Sequence, residues 1–544
     1  MTFLPHTETA AVTKQIPEQA TSRSVLVRNV SAVGLCGILI CHAVFSFHAL
    51  AAKTFWFDEG MSVGIARLDF YNFLRILWRR EGNMSLYYLV LRLWLHLGSS
   101  PAFVRALSVL FSLGAVAAIY FLGRRLFNPT IGLIASALLA FNAWEIRYAQ
   151  EARSYTLMVL LCILSSLSFM RYLESSSRRD RRLYIALSTL AVYAHFYSGL
   201  LFAAHWFWLR LRDRQQAASE LRHTFSWIAV LSAPVAIFIA ATGAGPLNWV
   251  QRPGLTVLWK FVLDICGNGG PLLVAAYAIL CLVALLVRRD TAQTWSLRLV
   301  ALWIAVPIAI ILLVSIARPL FVPRYFFLCL PALCLLAAVG LCRLKIPLLI
   351  APALLLILGL SLRGDVSYYR NDFDIKRDDW RAATEYLRVN ASANDAILFH
   401  VAMARMPYEY YKSLGRDAST FPEVVYPNHG SKITFLDFVE KPDYNHVAQE
   451  LSRHSRVWLV VAHASNGSTM DSTASALASI AAQNRVLKRD QNFGVGLRIF
   501  LFENDPSAAT VQSASAGVRP LKQLPVSSRQ FRAHTENWQL TTNN

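Results

Sequence analysis

Apolar residues in this chain come in long unbroken runs, separated by short polar stretches in which Lys and Arg predominate. The runs lie near 27 to 51, 101 to 122, 130 to 144, 155 to 170, 183 to 196, 199 to 209, 224 to 241, 271 to 287, 299 to 316, 326 to 342 and 346 to 362. A helix needs ~20 apolar residues to cross ~30 Å of hydrocarbon, and several of the runs approach that length. The pattern predicts a polytopic α-helical membrane protein of about 11 transmembrane helices. The pair at 183 to 209 is too short for two straight spans, which predicts broken or tilted helices there. The first run follows a polar tail, 1 to 26, with no small-residue cleavage site of the A-x-A kind, so it reads as a retained helix.

The segment between the first two runs, 53 to 100, has a different periodicity. In "DFYNFLRILWRR", Phe70, Phe73, Leu74, Leu77 and Trp78 recur at helical spacing, which predicts an amphipathic helix lying in the membrane interface. "SLYYLVLRLWLHLG" at 85 to 98 is too short to span and contains Arg92 and His96, so it reads as a second interfacial helix. After Arg363 the composition changes again. An amphipathic stretch from about Arg370, a strand at Ala396 to Phe399, and the strand-like "RVWLVVAHA" and "GLRIFLFEN" predict a C-terminal soluble α/β domain over 364 to 505. Residues 506 to 544, rich in Ser, Ala, Gln and Thr without periodicity, read as a disordered tail.

Composition agrees: of 544 residues, 55% are hydrophobic and 16% charged, with mean hydropathy +0.40, outside the range of a soluble protein. The net charge of +20 is accounted for by cationic loops facing anionic headgroups, not by nucleic acid. Basic clusters at 123 to 127, 175 to 182, 210 to 214, 288 to 290 and 342 to 345 fall on alternate loops. The positive-inside rule makes these loops and the N-terminus cytoplasmic, and an odd number of crossings puts everything after Arg363 on the far side. One loop disobeys: 53 to 100 should be external, yet it carries Lys53, Arg67, Arg75, Arg79, Arg80 and Arg92. The eight cysteines lie in or beside apolar runs without CxxC pairing, so neither a zinc site nor a disulfide framework is indicated.

Three polar clusters stand at one predicted face. Asp58 and Glu59 follow the first helix, among Phe55, Trp56 and Phe57. A carboxylate losing solvation at an apolar boundary becomes a better general base, while an interfacial pair neutralised by Lys53 or Arg67 explains the same residues. In "WEIRYAQEARSYTLM", a continuous helix would align Arg147, Glu151 and Tyr155, with Tyr148 adjacent and Arg153 on another side. An isolated Arg/Glu pair on a helix contributes only ~0.2–0.5 kcal/mol, but charge where lipid would exclude it points to function. In "RPLFVPRYF", Arg324 can fork onto a phosphate beside Tyr325, and "HFYSG" adds His195 and Tyr197. No P-loop, no GxGxxG after a strand and no HExxH is found, so nucleotide hydrolysis and a membrane metalloprotease are unsupported.

With these residues in view, the chain resembles the superfamily of integral-membrane C-fold (GT-C) glycosyltransferases, which includes protein O-mannosyltransferases and bacterial aminoarabinose (lipid A) transferases. The resemblance runs from about Thr54 to Tyr325, through "WFDEGMS", "LYYLVLRLW", "FVRALSVLFSLGAVAAIYFLGRRLF", "NAWEIRYAQEARSYTLM" and "VPRYFFLCLPAL" in that order. It implies a polyprenyl-phosphate sugar as donor and inverting transfer to a hydroxyl of a lipid, glycan or protein at the periplasmic face of a bacterial inner membrane. It also implies Asp58 as general base, Glu59 as acceptor contact or support, and Glu151 in the same cavity. Arg153, Arg147, Arg324 and Tyr325 would hold the donor phosphate, lined by Tyr148, Tyr155, His195 and Tyr197. The cations of the first loop would draw an anionic headgroup toward the cavity at ~1 kcal/mol each. Relatives commonly carry Pro-Pro before "LYY" where this chain has Met84 and Ser85, a departure from their pattern. Some relatives use a divalent metal at the acidic cluster; this sequence neither requires nor excludes one.

Two other classes fit parts of the pattern. A secondary transporter would show inverted repeats and charges near the middle of spans, and neither is seen. A noncatalytic envelope-assembly or glycan-binding protein would use the C-terminal domain as its working part. In the enzyme reading that domain guides the acceptor or caps the cavity, and "RDDW" at 377 to 380 could sit over the active site, though a solvated helix start accounts for it better.

Overall fold

The computed structural model describes residues 16–242, 250, 252–286, 291–344, 347–373, 378–415, 421–428, 433–435, 441–462 and 471–504. The tail up to residue 15, the basic segment at 288 to 290, Lys345, Arg377 and the tail expected at 506 to 544 lie outside the described residues.

Each of the eleven apolar runs is helical over most of its length. In chain order the helices are α1 (Ile16–Phe47), α2 (Phe57–Arg67), α3 (Phe70–Arg79), α4 (Ser85–Trp94), α5 (Pro101–Leu126), α6 (Pro129–Ala140), α7 (Ala143–Ala149), α8 (Tyr155–Ser175), α9 (Arg178–Ala194), α10 (Gly199–Arg212), α11 (Arg214–Glu220) and α12 (Ser226–Thr242). They continue with α13 (Leu255–Ile265), α14 (Pro271–Leu286), α15 (Thr291–Ala317), α16 (Leu330–Cys342) and α17 (Ile350–Ser367). Among the described residues, seven segments are long and apolar enough to cross a membrane, and α6 with α7, bent by 64° at their break, form an eighth candidate. The other three expected crossings are shorter: α9, α10 and α14 have 17, 14 and 16 residues. Length thus supports seven or eight spans, and the expected eleven depends on these three. The break predicted at 183 to 209 is present, where His195 ends α9 and Phe196–Ser198 turn into α10.

Local chemistry sets several boundaries. Ser100 and Asn128 cap α5 and α6 through the amides of Phe103 and Ile131, each with Pro at the first helical position. Asp69 caps α3 through the Asn72 amide. In α3, Phe73 and Ile76 turn inward while Phe70, Tyr71, Leu74 and Trp78 are exposed, so the expected single apolar stripe is split between two faces.

The C-terminal domain is a five-stranded sheet ordered β2-β1-β3-β5-β4, from β1 (Ala396–His400), β2 (Glu423–Tyr426), β3 (Arg456–Ala462), β4 (Arg485–Asn492) and β5 (Leu497–Asn504). Strands β2, β1 and β3 are parallel, and β5 and β4 are antiparallel additions. Helices α18 (Trp380–Asn390) and α19 (Arg405–Leu414) share the apolar core of the membrane helices through Trp380, Leu387, Met406 and Tyr410. Helices α20 (Tyr444–Leu451) and α21 (Ser472–Ala481) pack on the opposite face in a separate core.

Candidate active site

The site is built around α2, an element with no amphipathic signature because all its residues from Glu59 to Ala66 are buried. Its first turn carries Asp58 and Glu59, where the helix dipole favours negative charge. The two carboxylates have different partners. Glu59 is completely buried against Arg105 of α5, with Nε 2.8 Å from Oε1 and Nη2 2.7 Å from Oε2. The remaining Arg105 N–H groups donate to the carbonyls of Leu50, Lys53 and Thr54, at 2.8 to 2.9 Å. Glu59 Oε1 also accepts the Ala152 amide at 2.9 Å, which ties the turn after α7 to α2.

Asp58 keeps 23% of its side chain accessible, and its Oδ2 lies 3.6 Å from Arg153 Nη2. Arg153 Nη1 is 3.4 Å from the Asp58 carbonyl and 3.3 Å from Ser62 Oγ. Burial works against the Arg153 charge, but Asp58, Tyr88, Tyr155 and Glu81 together hold its pKa well above the ordinary arginine value. Across the turn, Arg147 Nε is 3.7 Å from Glu151 Oε1. The continuous stripe of Arg147, Glu151 and Tyr155 expected on one helix is broken: α7 ends at Ala149 and α8 starts at Tyr155. The tight turn between them is what turns Arg153 toward Asp58.

The aromatic residues expected to line a cavity form one wall. By ring centroids, Tyr148 lies 4.7 Å from Tyr155, Tyr155 6.0 Å from His195, His195 4.7 Å from Tyr325, and Tyr325 5.0 Å from Tyr197, in tilted and edge-to-face contacts. Tyr197 is fixed by donating to the Leu320 carbonyl at 2.6 Å. Arg324, in the turn Pro323–Cys329 before α16, lies within electrostatic range of Tyr155, Tyr325, Asp58 and Tyr148. Three buried nitrogens around this wall, Arg147 Nε, Arg153 Nε and His195 Nε2, have no hydrogen-bond partner among the described residues. Such groups are rare in a closed core and are expected where a polar ligand binds. Among the described residues no three His, Cys, Asp or Glu side chains converge to hold a metal ion.

Residues 85–240 match the family profile described as dolichyl-phosphate-mannose-protein mannosyltransferase. Two crystal structures of ArnT from Cupriavidus metallidurans, one apo and one bound to undecaprenyl phosphate, superpose with TM-score 0.55 at 14% identity, over 92% of this chain and 100% of theirs. The fold is that of these ArnT structures. An oligosaccharyltransferase from Archaeoglobus fulgidus, in complex with Zn and sulfate, matches at TM-score 0.48 and 11% identity, over 78% of this chain and 67% of its own. No curated protein sequence matches the chain.

Within this fold, Arg105 and Glu81, which sequence reasoning passed over, and Asp378 belong to the site. Arg105 carries a legible signal, a full charge inside an apolar span, which demands a partner. Glu81 is the only acidic residue between Asp69 and Glu145 in the sequence. It accepts a hydrogen bond from Tyr88 at 3.0 Å. Burial pushes its carboxyl up from the ordinary value of 4.5, against the pull of Arg153. Asp378 is buried, not a solvated helix start: its Oδ2 accepts the Phe57 amide at 3.1 Å.

The loop cations are also assigned differently from expectation. Lys53 is buried and donates to Tyr368 at 3.1 Å, Arg67 to Ser413 at 3.0 Å, and Arg75 lies 4.5 Å over Phe435. Arg92 caps the carboxyl end of α2 through the carbonyls of Ala66, at 3.1 Å, and Leu68. Arg79 and Arg80 are exposed.

Proposed function

We propose that this protein transfers a sugar from a polyprenyl-phosphate donor to a hydroxyl of an envelope acceptor, at the periplasmic face of a bacterial inner membrane. The N-terminus is then cytoplasmic and the sheet domain periplasmic. The observation that carries the proposal is the pairing of a partly accessible carboxylate, Asp58, with a buried arginine, Arg153, on a wall of aromatic residues within range of Arg324. The undecaprenyl phosphate bound in the ArnT structure of the same fold supports this class of donor.

In this reading Asp58 takes the proton of the acceptor hydroxyl as its oxygen attacks the anomeric carbon from the side opposite the phosphate. The bond from the anomeric carbon to the phosphate oxygen breaks with inversion, and polyprenyl phosphate leaves as an anion. Its developing charge meets Arg324, Arg153 and Arg147, with Tyr325 alongside, in a site from which water is largely excluded. Glu151 orients Arg147. Glu59, enclosed by Arg105, supports the site and does not reach the acceptor. Tyr148, Tyr155, His195 and Tyr197 shape the sugar-binding side of the cavity.

The deciding experiment is Asp58→Asn in purified protein supplied with undecaprenyl-phosphate sugars. A general base contributes about 10²–10⁴-fold, and a loss of that size is expected with undecaprenyl phosphate still bound. Transfer at the wild-type rate would remove Asp58 from the mechanism.

A further inference from the structure

We propose that the C-terminal sheet domain is part of the catalytic apparatus, because Asp378 and α19 set the position of the helical turn that carries Asp58. The inference rests on Asp58 being the base. Helix α2 has no cap of its own, since Trp56 contributes no side-chain hydrogen bond to its amino end. The missing acceptor comes from 321 positions away: Asp378 Oδ2 takes the Phe57 amide at 3.1 Å and the Trp380 indole N–H at 2.9 Å. Two residues earlier, the Phe55 amide donates to Tyr411 OH of α19 at 2.6 Å. Asp378 is itself held in the sheet domain, because the next amide, Asp379, donates to the Phe493 carbonyl at 2.8 Å and the Asp379 side chain caps α18.

The clamp continues along the helix. A Cβ on Gly60 would lie 2.4 Å from Pro407 Cβ, and one on Gly64 2.8 Å from Met406 Sδ. These glycines are one turn apart, so bare backbone on this face of α2 rests directly on α19. Asp58 therefore sits between an amide fixed by Asp378 and a backbone fixed by Pro407. Its carboxylate can reach the acceptor in one place only while both contacts hold. Asp378 is thus a positioning residue, not a catalytic one.

The test uses the full-length protein in nanodiscs and the undecaprenyl-phosphate sugar that the wild type turns over. Asp378→Ala is expected to lower kcat about 10- to 100-fold, as a misplacement of order 1 Å does. KM for the donor should stay within about twofold, since donor binding is not what is lost. Asp378→Asn, which keeps an acceptor oxygen in place, should retain activity within about threefold of wild type. Should Asp378→Ala fail to fold, Gly64→Ala takes its place: it is expected to lower kcat, and adding Met406→Ala is expected to restore it. Wild-type kcat in Asp378→Ala beside an inactive Asp58→Asn would overturn the clamp and leave the proposed reaction standing. An active Asp58→Asn would overturn the reaction itself, and the clamp with it.

Discussion

Arg105 and Glu59 form a closed pair in which all five guanidinium N–H groups are used, two on the carboxylate and three on the carbonyls of Leu50, Lys53 and Thr54. The pair is fully buried and fastens three separate segments together: the start of the first loop, α5, and the turn at Ala152.

Breaking this pair leaves an uncompensated buried charge. Arg105→Met is therefore expected to cost about 3–5 kcal/mol of stability. Arg105→Lys should not rescue it, because an ammonium cannot reproduce the fork. Thermal unfolding in detergent measures both, and a double variant with Glu59→Gln should lose less than the sum of the singles. Wild-type stability in Arg105→Lys would count against the pair as the fastening.

Glu81 predicts a pH dependence of stability. Its raised pKa means that the folded protein holds this proton more tightly than the unfolded chain does. Stability from this group is fully present below the ordinary value of 4.5 and falls as pH rises from there through the folded pKa. Glu81→Gln should flatten that part of the melting-temperature profile. An identical slope in both proteins would assign the dependence elsewhere.

Arg324 is expected to bind the donor phosphate. A charged hydrogen bond contributes about 1.5–3 kcal/mol, so Arg324→Gln should weaken undecaprenyl phosphate binding by about 10- to 100-fold. Arg75→Gln, remote at the Phe435 ring, should change it by less than about threefold. Equal losses in the two variants would mean that loop charge in general, and not Arg324, attracts the lipid.

Arg92 caps the carboxyl end of α2. Arg92→Met should destabilise the protein by about 1–3 kcal/mol, the cost of leaving the partly buried carbonyls of Ala66 and Leu68 without a donor. Raising the salt concentration should not reproduce the effect, because a contact of this kind is poorly screened. A loss mimicked by salt would restore the headgroup-attraction account.

Much of this was legible in the chain. Apolar runs become helices because hydrocarbon leaves the backbone no other way to satisfy its hydrogen bonds, a constraint that acts residue by residue. The two short helices at 70–79 and 85–94, and the strands at 396–400, 456–462 and 497–504, follow from equally local periodicities. Even the aromatic wall was foreseeable as a set, since His195, Tyr197 and Tyr325 each stand at the end of an apolar run.

What the chain alone determined is thus a bundle of apolar helices, a C-terminal sheet, and one level at which charged and aromatic residues gather. Tertiary structure decided which charge meets which. Asp58 and Glu59 are neighbours in sequence, yet one remains accessible beside Arg153 and the other is enclosed by Arg105, 46 positions away. Helix α2 has no local cap at its amino end and no amphipathic pattern; it exists where it does because Asp378 and Arg92 meet its two ends and α19 covers its glycines. Periodicity reports only what neighbours along the chain share. A buried ion pair or a borrowed cap is an agreement between distant segments, and it comes into being only when folding removes both partners from water.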